Sequence, residues 1–272
     1  MRTLVHMSDL HFGRVDRGLL QPLIDQVKRI GPDLVVVSGD LTQRARSAQF
    51  KQAREFLDEL SAPRIVVPGN HDVPMHNILA RFFLPLKKYR RYITNELEPF
   101  FVDAEIAVLG LNTARSLTIK NGRINEAQLQ HVRARLSSLS AEVTKIVVTH
   151  HPLDLPQDHG SNVLVGRAGM AMALFAECRV DLMLAGHFHV GQTGNSAARY
   201  AIPGHTALII QAGTATSTRG RGQANSFNVI KIDRPMIVVE RWEWISVAAT
   251  FVAAESARFR LNAGAWSVEE CS

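Results

Sequence analysis

Polar clusters along the chain alternate with short aliphatic runs of strand length: Thr3–Met7, Leu34–Ser38, Ile65–Val67, Ala107–Leu111, Ile146–Thr149, Leu182–Ala185, Leu208–Gln211, Asn228–Ile232 and Ile237–Arg241. Bounded by Gly, Pro, Asn or Asp and rich in Val, Ile and Leu, they predict buried strands. Helical spacing appears between them. Leu19, Leu20, Leu23, Ile24, Val27 and Ile30 share a face, and Gly31-Pro32 stops that run. Phe50, Ala53, Leu57 and Leu60 predict a second helix over Ser47 to Leu60. A third begins near Asn125, with Glu126 in its first turn and Leu129, Val132, Leu136 and Leu139 on its apolar stripe. Strand and helix alternate through Val67, which predicts a parallel or mixed sheet wrapped by helices; the back-to-back strands after Leu208 predict antiparallel additions. Both fit an α/β fold, a layered αββα sandwich with mixed sheets. The core is expected over 1–245, with a helical cap inserted at 73–102, rich in Phe, Tyr, Lys and Arg. Beyond Ser246 the pattern weakens, so 246–272 reads as a C-terminal extension or an oligomer contact.

At 272 residues and 46% hydrophobic content, the chain can bury a sizeable core, so disorder is not expected. The net charge of +6 and a pI near 9.7 favour anionic partners. The excess is dispersed, however, and the runs Lys87-Lys88-Tyr89-Arg90-Arg91 and Arg219-Gly220-Arg221 read as solvated faces or loops. Two cysteines, Cys178 and Cys271, lie far apart, so neither a disulfide framework nor a zinc finger is suggested and a reducing compartment fits. Asp9 arrives before any signal-peptide core, and the longest apolar stretch, Ile245 to Ala254, is too short to span a bilayer. The expectation is a cytoplasmic protein without a transmembrane segment.

The polar clusters carry the chemistry. Asp9-Leu10-His11, Gly39-Asp40, Gly69-Asn70-His71-Asp72, Thr149-His150-His151-Pro152 and Gly186-His187-Phe188-His189 follow aliphatic runs, so their side chains are expected to emerge at one sheet edge. Carboxylate, imidazole and amide oxygen are the donors that hard and borderline divalent ions take. Asp9 and His11, one residue apart, can face the same ion. Asp40 can bridge two cations, Asn70 adds an uncharged ligand, and His71 is poised over the site without binding metal. His150 follows its strand directly and is the ligand candidate; His151 is left as a supporting or loop residue. His187 and His189 alternate around Phe188 and can both point inward.

In this order the motifs D-x-H, GD, GNH-D/E, H and GHxH resemble the calcineurin-like metallophosphoesterase superfamily, over residues 9 to 189. The sequences Gly39-Asp40-Leu41-Thr42-Gln43-Arg44 and Gly69-Asn70-His71-Asp72-Val73-Pro74 are similar to its bacterial branch of cyclic-nucleotide phosphodiesterases and glycerophosphodiesterases. The resemblance implies one metal on Asp9, His11, Asp40 and His189, and a second on Asp40, Asn70, His150 and His187. His71, oriented by Asp72, would contact the phosphate or protonate the leaving oxygen. Two divalent or mixed-valence ions are implied, drawn from Mn, Fe, Zn or Co. The reaction implied is in-line attack of a metal-bound hydroxide on a small phosphodiester. A homodimer through the cap or tail is expected by resemblance only.

Two other classes stay open. A metal-dependent nuclease would use the same site and draw on the high pI, but the chain lacks a marked basic stripe. A non-catalytic phospholigand-binding protein would be expected to have lost ligands, and none is missing. Outside the motifs, His6, His76, His131, His159 and His205 read as surface or core residues. Asn112 and Arg115 are candidates for the phosphate or leaving group, against a simple polar turn. Gly213-Thr214-Ala215-Thr216-Ser217 reads as a loop near the site.

Overall fold

Alternate residues of each aliphatic run face opposite ways, and this sorts the side chains into layers. In β2 (Leu34–Ser38), Leu34 and Val36 point into one apolar cluster while Val35 and Val37 point into another. In β6 (Thr144–Val148), Ile146 and Val148 enter the cluster shared with β2, and Val147 faces a third. The computed structural model describes residues 1–75, 77–118, 121–154, 164–200, 202–219 and 222–269. His76, His159, Gly220, Arg221 and Cys271 lie outside the described residues.

The result is the layered αββα sandwich. One sheet has the order β13-β12-β11-β10-β1-β2-β3, built from β1 (Arg2–Met7), β2, β3 (Arg64–Val67), β10 (Ser226–Asp233), β11 (Met236–Ile245), β12 (Thr250–Asn262) and β13 (Ala265–Val268). The other has the order β4-β5-β6-β7-β9-β8, from β4 (Phe100–Val102), β5 (Ile106–Gly110), β6, β7 (Leu182–Ala185), β8 (Gln192–Asn195) and β9 (Leu208–Gln211). β1, β2 and β3 are parallel, as are β5, β6, β7 and β9. β10 to β13, β4 and β8 add antiparallel pairs. A central cluster, mostly Leu, Ile and Val with Phe259 and Trp266, joins the two sheets. The outer face of the first packs on α1 (Leu20–Ile30) and α2 (Ser47–Asp58), that of the second on α5 (Glu126–Leu136) and α6 (Ala168–Glu177).

Local chemistry explains the helix ends. Gly31 closes α1 at φ 60°, a left-handed conformation that glycine adopts without steric cost. At the start of α5, the Asn125 Oδ1 accepts from the Gln128 backbone N–H. The chain after residue 245, where the sequence pattern fades, is sheet: β12 pairs along β11 and β13 along β12. Much of β12 is exposed, which removes the alternation that would have marked it. Its neighbour nevertheless supplies core, since Trp266 is buried between the sheets and its Nε1 donates to Asp181 Oδ1 at 2.9 Å. α6 carried no signal because its Ala, Met, Leu and Phe leave no polar face to set a period. Within 73–102, α3 (Ile78–Phe83) and α4 (Lys87–Tyr92) are helical; the Tyr89 hydroxyl donates to Val66 O at 2.9 Å and its ring meets Phe50 edge-on.

Trp266→Ala removes the largest side chain that the last strand contributes to the core. Equilibrium urea unfolding should show a loss of ~3–5 kcal/mol; an unchanged midpoint would mean that the tail is not part of the cooperative unit.

Candidate metal centre

Every parallel strand of both sheets ends at the same edge, and the polar clusters begin there. Asp9 follows β1, Asp40 follows β2, Asn70 follows β3, His150 follows β6 and His187 follows β7. The carboxyl ends of parallel strands are where open α/β sheets leave a crevice. Each chain must then turn at once to aim its side chain inward. Asp9, His11, Asp40, His187 and His189 do so with positive φ, between 50° and 78°. Non-glycine residues rarely adopt this region, and a cluster of them at one place is a mark of a functional site.

Motif glycines clear the space. A Cβ on Gly69 would lie 2.1 Å from Asp40 Oδ1, one on Gly186 1.8 Å from Ser8 Oγ, and one on Gly39, which has φ 92°, 2.5 Å from His150 Nδ1. The loop that the sequence placed near the site holds the Asp9 turn in position. Thr214 Oγ1 donates to Asp9 O at 2.8 Å, Thr216 Oγ1 to Leu10 O at 3.0 Å, and the Ala215 N–H to Ser8 O at 3.1 Å.

The side chains converge as follows. Asp40 lies between two imidazoles, with Oδ2 at 3.4 Å from His150 Nε2 and 3.8 Å from His11 Nε2, while its Oδ1 accepts from the His71 N–H at 2.8 Å. Asp9 Oδ1 is 3.2 Å from His189 Nε2 and 3.5 Å from His11 Nε2, and Asp9 Oδ2 accepts the His187 N–H. Asn70 Oδ1 is 3.1 Å from His150 Nε2, and His187 Nδ1 is 3.3 Å from the same nitrogen. The site is deeply buried, with Asp9, His11, Asp40 and His150 almost wholly excluded from solvent.

The ring tautomers decide what the cluster can hold. His150 Nδ1 donates to Ser38 O at 2.8 Å and His189 Nδ1 to Arg219 O at 3.1 Å. In the neutral rings both Nε2 atoms then present lone pairs to the centre. Lone pairs facing carboxylate oxygens repel unless a cation lies between them. Asp9 Oδ1 itself finds no hydrogen-bond donor. Donor atoms of Asp9, His11 and His189, of Asp9, Asp40 and His150, and of His150, His151 and His187 lie within 4.8 Å of one another in each trio. The mixed oxygen and nitrogen set suits divalent transition metals.

Electrostatics agrees with the geometry. Burial opposes ionisation of Asp9, but the adjoining His11 and His189 imidazoles, with His150, overcome it and hold the carboxyl well below its usual range. Burial also opposes charge on Asp40, and the neighbouring His150 outweighs it, lowering that carboxyl too. For His150, burial is overcome by the Asp40 charge and the ring is pushed up to about 9. Burial takes His187 down to about 4, with the His150 charge adding to the effect. The anionic pocket thus calls for positive charge.

Asp72 is placed differently from its expected role beside His71. Its carboxylate accepts from the backbone N–H groups of Leu41, Thr42 and Gly69 and from Thr42 Oγ1. It ties the Asp40 turn to the Asn70 turn; burial and the Asp40 charge push its pKa up to about 6. The His71 ring is oriented instead by Gln43, whose carbonyl accepts from Nδ1 at 2.9 Å. His71 remains at the mouth, half-buried, its ring edge-on to His11 with centroids 5.0 Å apart.

Two residues were undervalued in the sequence. His151 is fully buried against the His150 and His187 rings, with Nδ1 on Thr113 Oγ1 at 2.7 Å and Nε2 without a partner. Arg219 brings its guanidinium to 3.2 Å from His71 Nε2; a short basic run beside glycine gives no hint of that. Asn112 and Arg115 are committed locally. Asn112 Oδ1 accepts from the Ala114 N–H, and the Arg115 guanidinium donates to Asn112 O, Ala114 O and Gln128 Oε1.

A model of the calcineurin-like phosphoesterase family matches residues 2–191. The chain belongs to the calcineurin-like phosphoesterase family. The chain is 27% identical over 161 residues to a probable glycerophosphodiester phosphodiesterase of Arcobacter nitrofigilis, covering 58% of this chain and 57% of that protein. It is 26% identical over 162 residues to the 3′,5′-cyclic adenosine monophosphate phosphodiesterase of Escherichia coli, covering 58% of this chain and 54% of the other. The match therefore spans little more than half the length of these relatives. Its fold superposes on a dimetal phosphatase from Danio rerio with a TM-score of 0.66 at 15% identity, over 94% of this chain and 98% of that one. Among the described residues, no helix is long and apolar enough to cross a membrane.

Gly69→Ala drives a methyl group into the Asp40 carboxylate without touching the core. Manganese affinity measured by isothermal titration should fall by roughly 10–100-fold with the circular dichroism spectrum retained; unchanged affinity would show that Asp40 does not need that clearance.

Proposed function

We propose that this protein is a binuclear-metal phosphodiesterase acting on small phosphodiesters, either cyclic nucleotides or glycerophosphodiesters. The observation that carries this reading is the Asp40 carboxylate set between His11 and His150, with His150 Nδ1 committed to Ser38 O so that its Nε2 faces the carboxylate. Asp9, His11, Asp40 and His189 would hold one cation; Asp40, Asn70, His150 and His187 would hold the other. When bound, two such ions neutralise phosphoryl oxygens and bring the pKa of a coordinated water towards neutrality. His151, packed on His150 and His187, would support the second set.

The chain's own groups supply the rest. His71 is held through Nδ1 by the Gln43 carbonyl with its Nε2 at the mouth, where the ring would contact the phosphate or protonate the leaving oxygen once substrate takes Arg219 from that nitrogen. Arg219, against that Nε2, is placed to bind a non-bridging phosphoryl oxygen and to offset charge that grows as the ester bond breaks. Asp72 acts through the backbone, fixing the Asp40 and Asn70 turns relative to each other. The similarity to glycerophosphodiester and cyclic adenosine monophosphate phosphodiesterases supports diesters as the substrate class.

Asp40→Ala should abolish hydrolysis of bis(p-nitrophenyl) phosphate and lower metal content by mass spectrometry; retained turnover would remove the bridging role. His71→Ala should lower kcat by roughly 10²–10⁴-fold while both ions stay bound, and loss of metal would make His71 a ligand instead. Arg219→Ala should raise KM for the diester with metal content unchanged, and an unaltered kcat/KM would take Arg219 out of the site.

A further inference from the structure

The insertion between β3 and β4 contains a helix that is inside out. The one buried side chain of α3 is Arg81, and its outward residues include Ile78, Leu79, Phe82 and Phe83. Arg81 is only 7% exposed, whereas Leu79 is 72% and Phe83 77% exposed. Three carbonyls fix this orientation: the guanidinium donates to Ser116 O at 2.7 Å, Pro74 O at 3.2 Å and Thr118 O at 3.3 Å. The helix cannot roll its apolar face inward without breaking all three bonds. Met75, Leu84 and Leu117 extend the exposed apolar area. An amphipathic surface helix normally buries such residues, and a contiguous apolar patch of this kind marks an interaction face.

The neighbouring charge says what covers it. Lys87, Lys88, Arg90 and Arg91 of α4 are all exposed. Phe83, Leu84, Lys87 and Arg90 line one groove, so the apolar and cationic groups are adjacent. A second copy of this chain is disfavoured as the occupant. A twofold contact would set the same basic residues near each other in a chain that already carries +6. An anionic lipid surface satisfies both halves: apolar side chains enter the boundary of the acyl chains while Lys and Arg meet the headgroups.

We infer that α3 and the basic run of α4 form a docking face for an anionic lipid bilayer. The inference goes beyond the phosphodiesterase reading and does not depend on it. The face arises at the strand-end edge that also carries the metal centre, because α3 follows the Asn70 turn and Arg81 grips the chain after β5.

Sedimentation of the full chain with vesicles tests this. Binding to phosphatidylcholine–phosphatidylglycerol vesicles should exceed binding to phosphatidylcholine alone by at least roughly tenfold at low salt, and should weaken as salt rises. Leu79→Asp/Phe83→Asp, both at exposed positions, should lose that binding while soluble diester turnover and circular dichroism stay unchanged. Lys87→Gln/Arg91→Gln should lose the preference for the anionic lipid. The inference is overturned if the wild type ignores both vesicles, if the apolar double variant binds as the wild type does, or if binding is indifferent to lipid charge. It is equally overturned if the wild type ignores vesicles but is a dimer that the double variant splits, which would give the face to a second copy. Failure of soluble diester hydrolysis by the wild type would count against the proposed function and leave the docking face standing.

Discussion

Buried carboxylates confronted by imidazole lone pairs form the constraint on which this structure turns. Asp9 and Asp40 are excluded from solvent, yet His150 and His189 beside them have spent their Nδ1 protons on the Ser38 and Arg219 carbonyls. Removing ions from water is costly, and no neighbouring lysine or arginine offsets the charge in the described hydrogen bonds of these two carboxylates. Such a constellation is stable only with positive charge inside it. Protonation of His150, raised by the Asp40 charge, is the answer available to the chain alone.

Backbone strain accompanies that electrostatic demand. Five of the inward-facing residues sit in the left-handed region, a conformation that costs on the order of 1–3 kcal/mol apiece for residues with a side chain. The strain persists because the surroundings over-determine it. Threonine hydroxyls at 214 and 216 clamp the first turn, the Asp72 carboxylate gathers N–H groups from two others, and the strands below interlock through a buried apolar layer. Asp72 illustrates how a residue inside a motif can serve geometry more than chemistry.

Much of this was readable in the residues themselves. The aliphatic runs ended where strands end, and the order Asp9, Asp40, Asn70, His150, His187 placed donors at one edge because parallel strands share a direction. Helices with a clean stripe and a stop signal, such as α1 with Gly31, were equally plain. What escaped was whatever lacks a period or depends on distant chain. α6 is apolar all round, β8 is a polar edge strand, and β12 is largely exposed. Arg219 reaches His71 across 148 residues, and no local pattern announces such a meeting. The inward turn of Arg81 was hidden for the same reason, since its carbonyl partners at 116 and 118 lie well down the chain.

The candidate donors come from both sheets: Asp9, His11, Asp40 and Asn70 from the ends of one, His150, His187 and His189 from the ends of the other. Among the described residues no disulfide ties those two halves together. Their relative position is set by how Leu4, Val36 and Ile65 interlock with Val108, Ile146 and Leu184 in the layer between them. Because interiors pack as tightly as organic crystals, a sideways slip of one sheet is resisted by every methyl group in that layer. The fine alignment of a polar reaction centre is thus inherited from the most featureless part of the chain, and a core position far from any donor has as much say in it as the residues at the mouth.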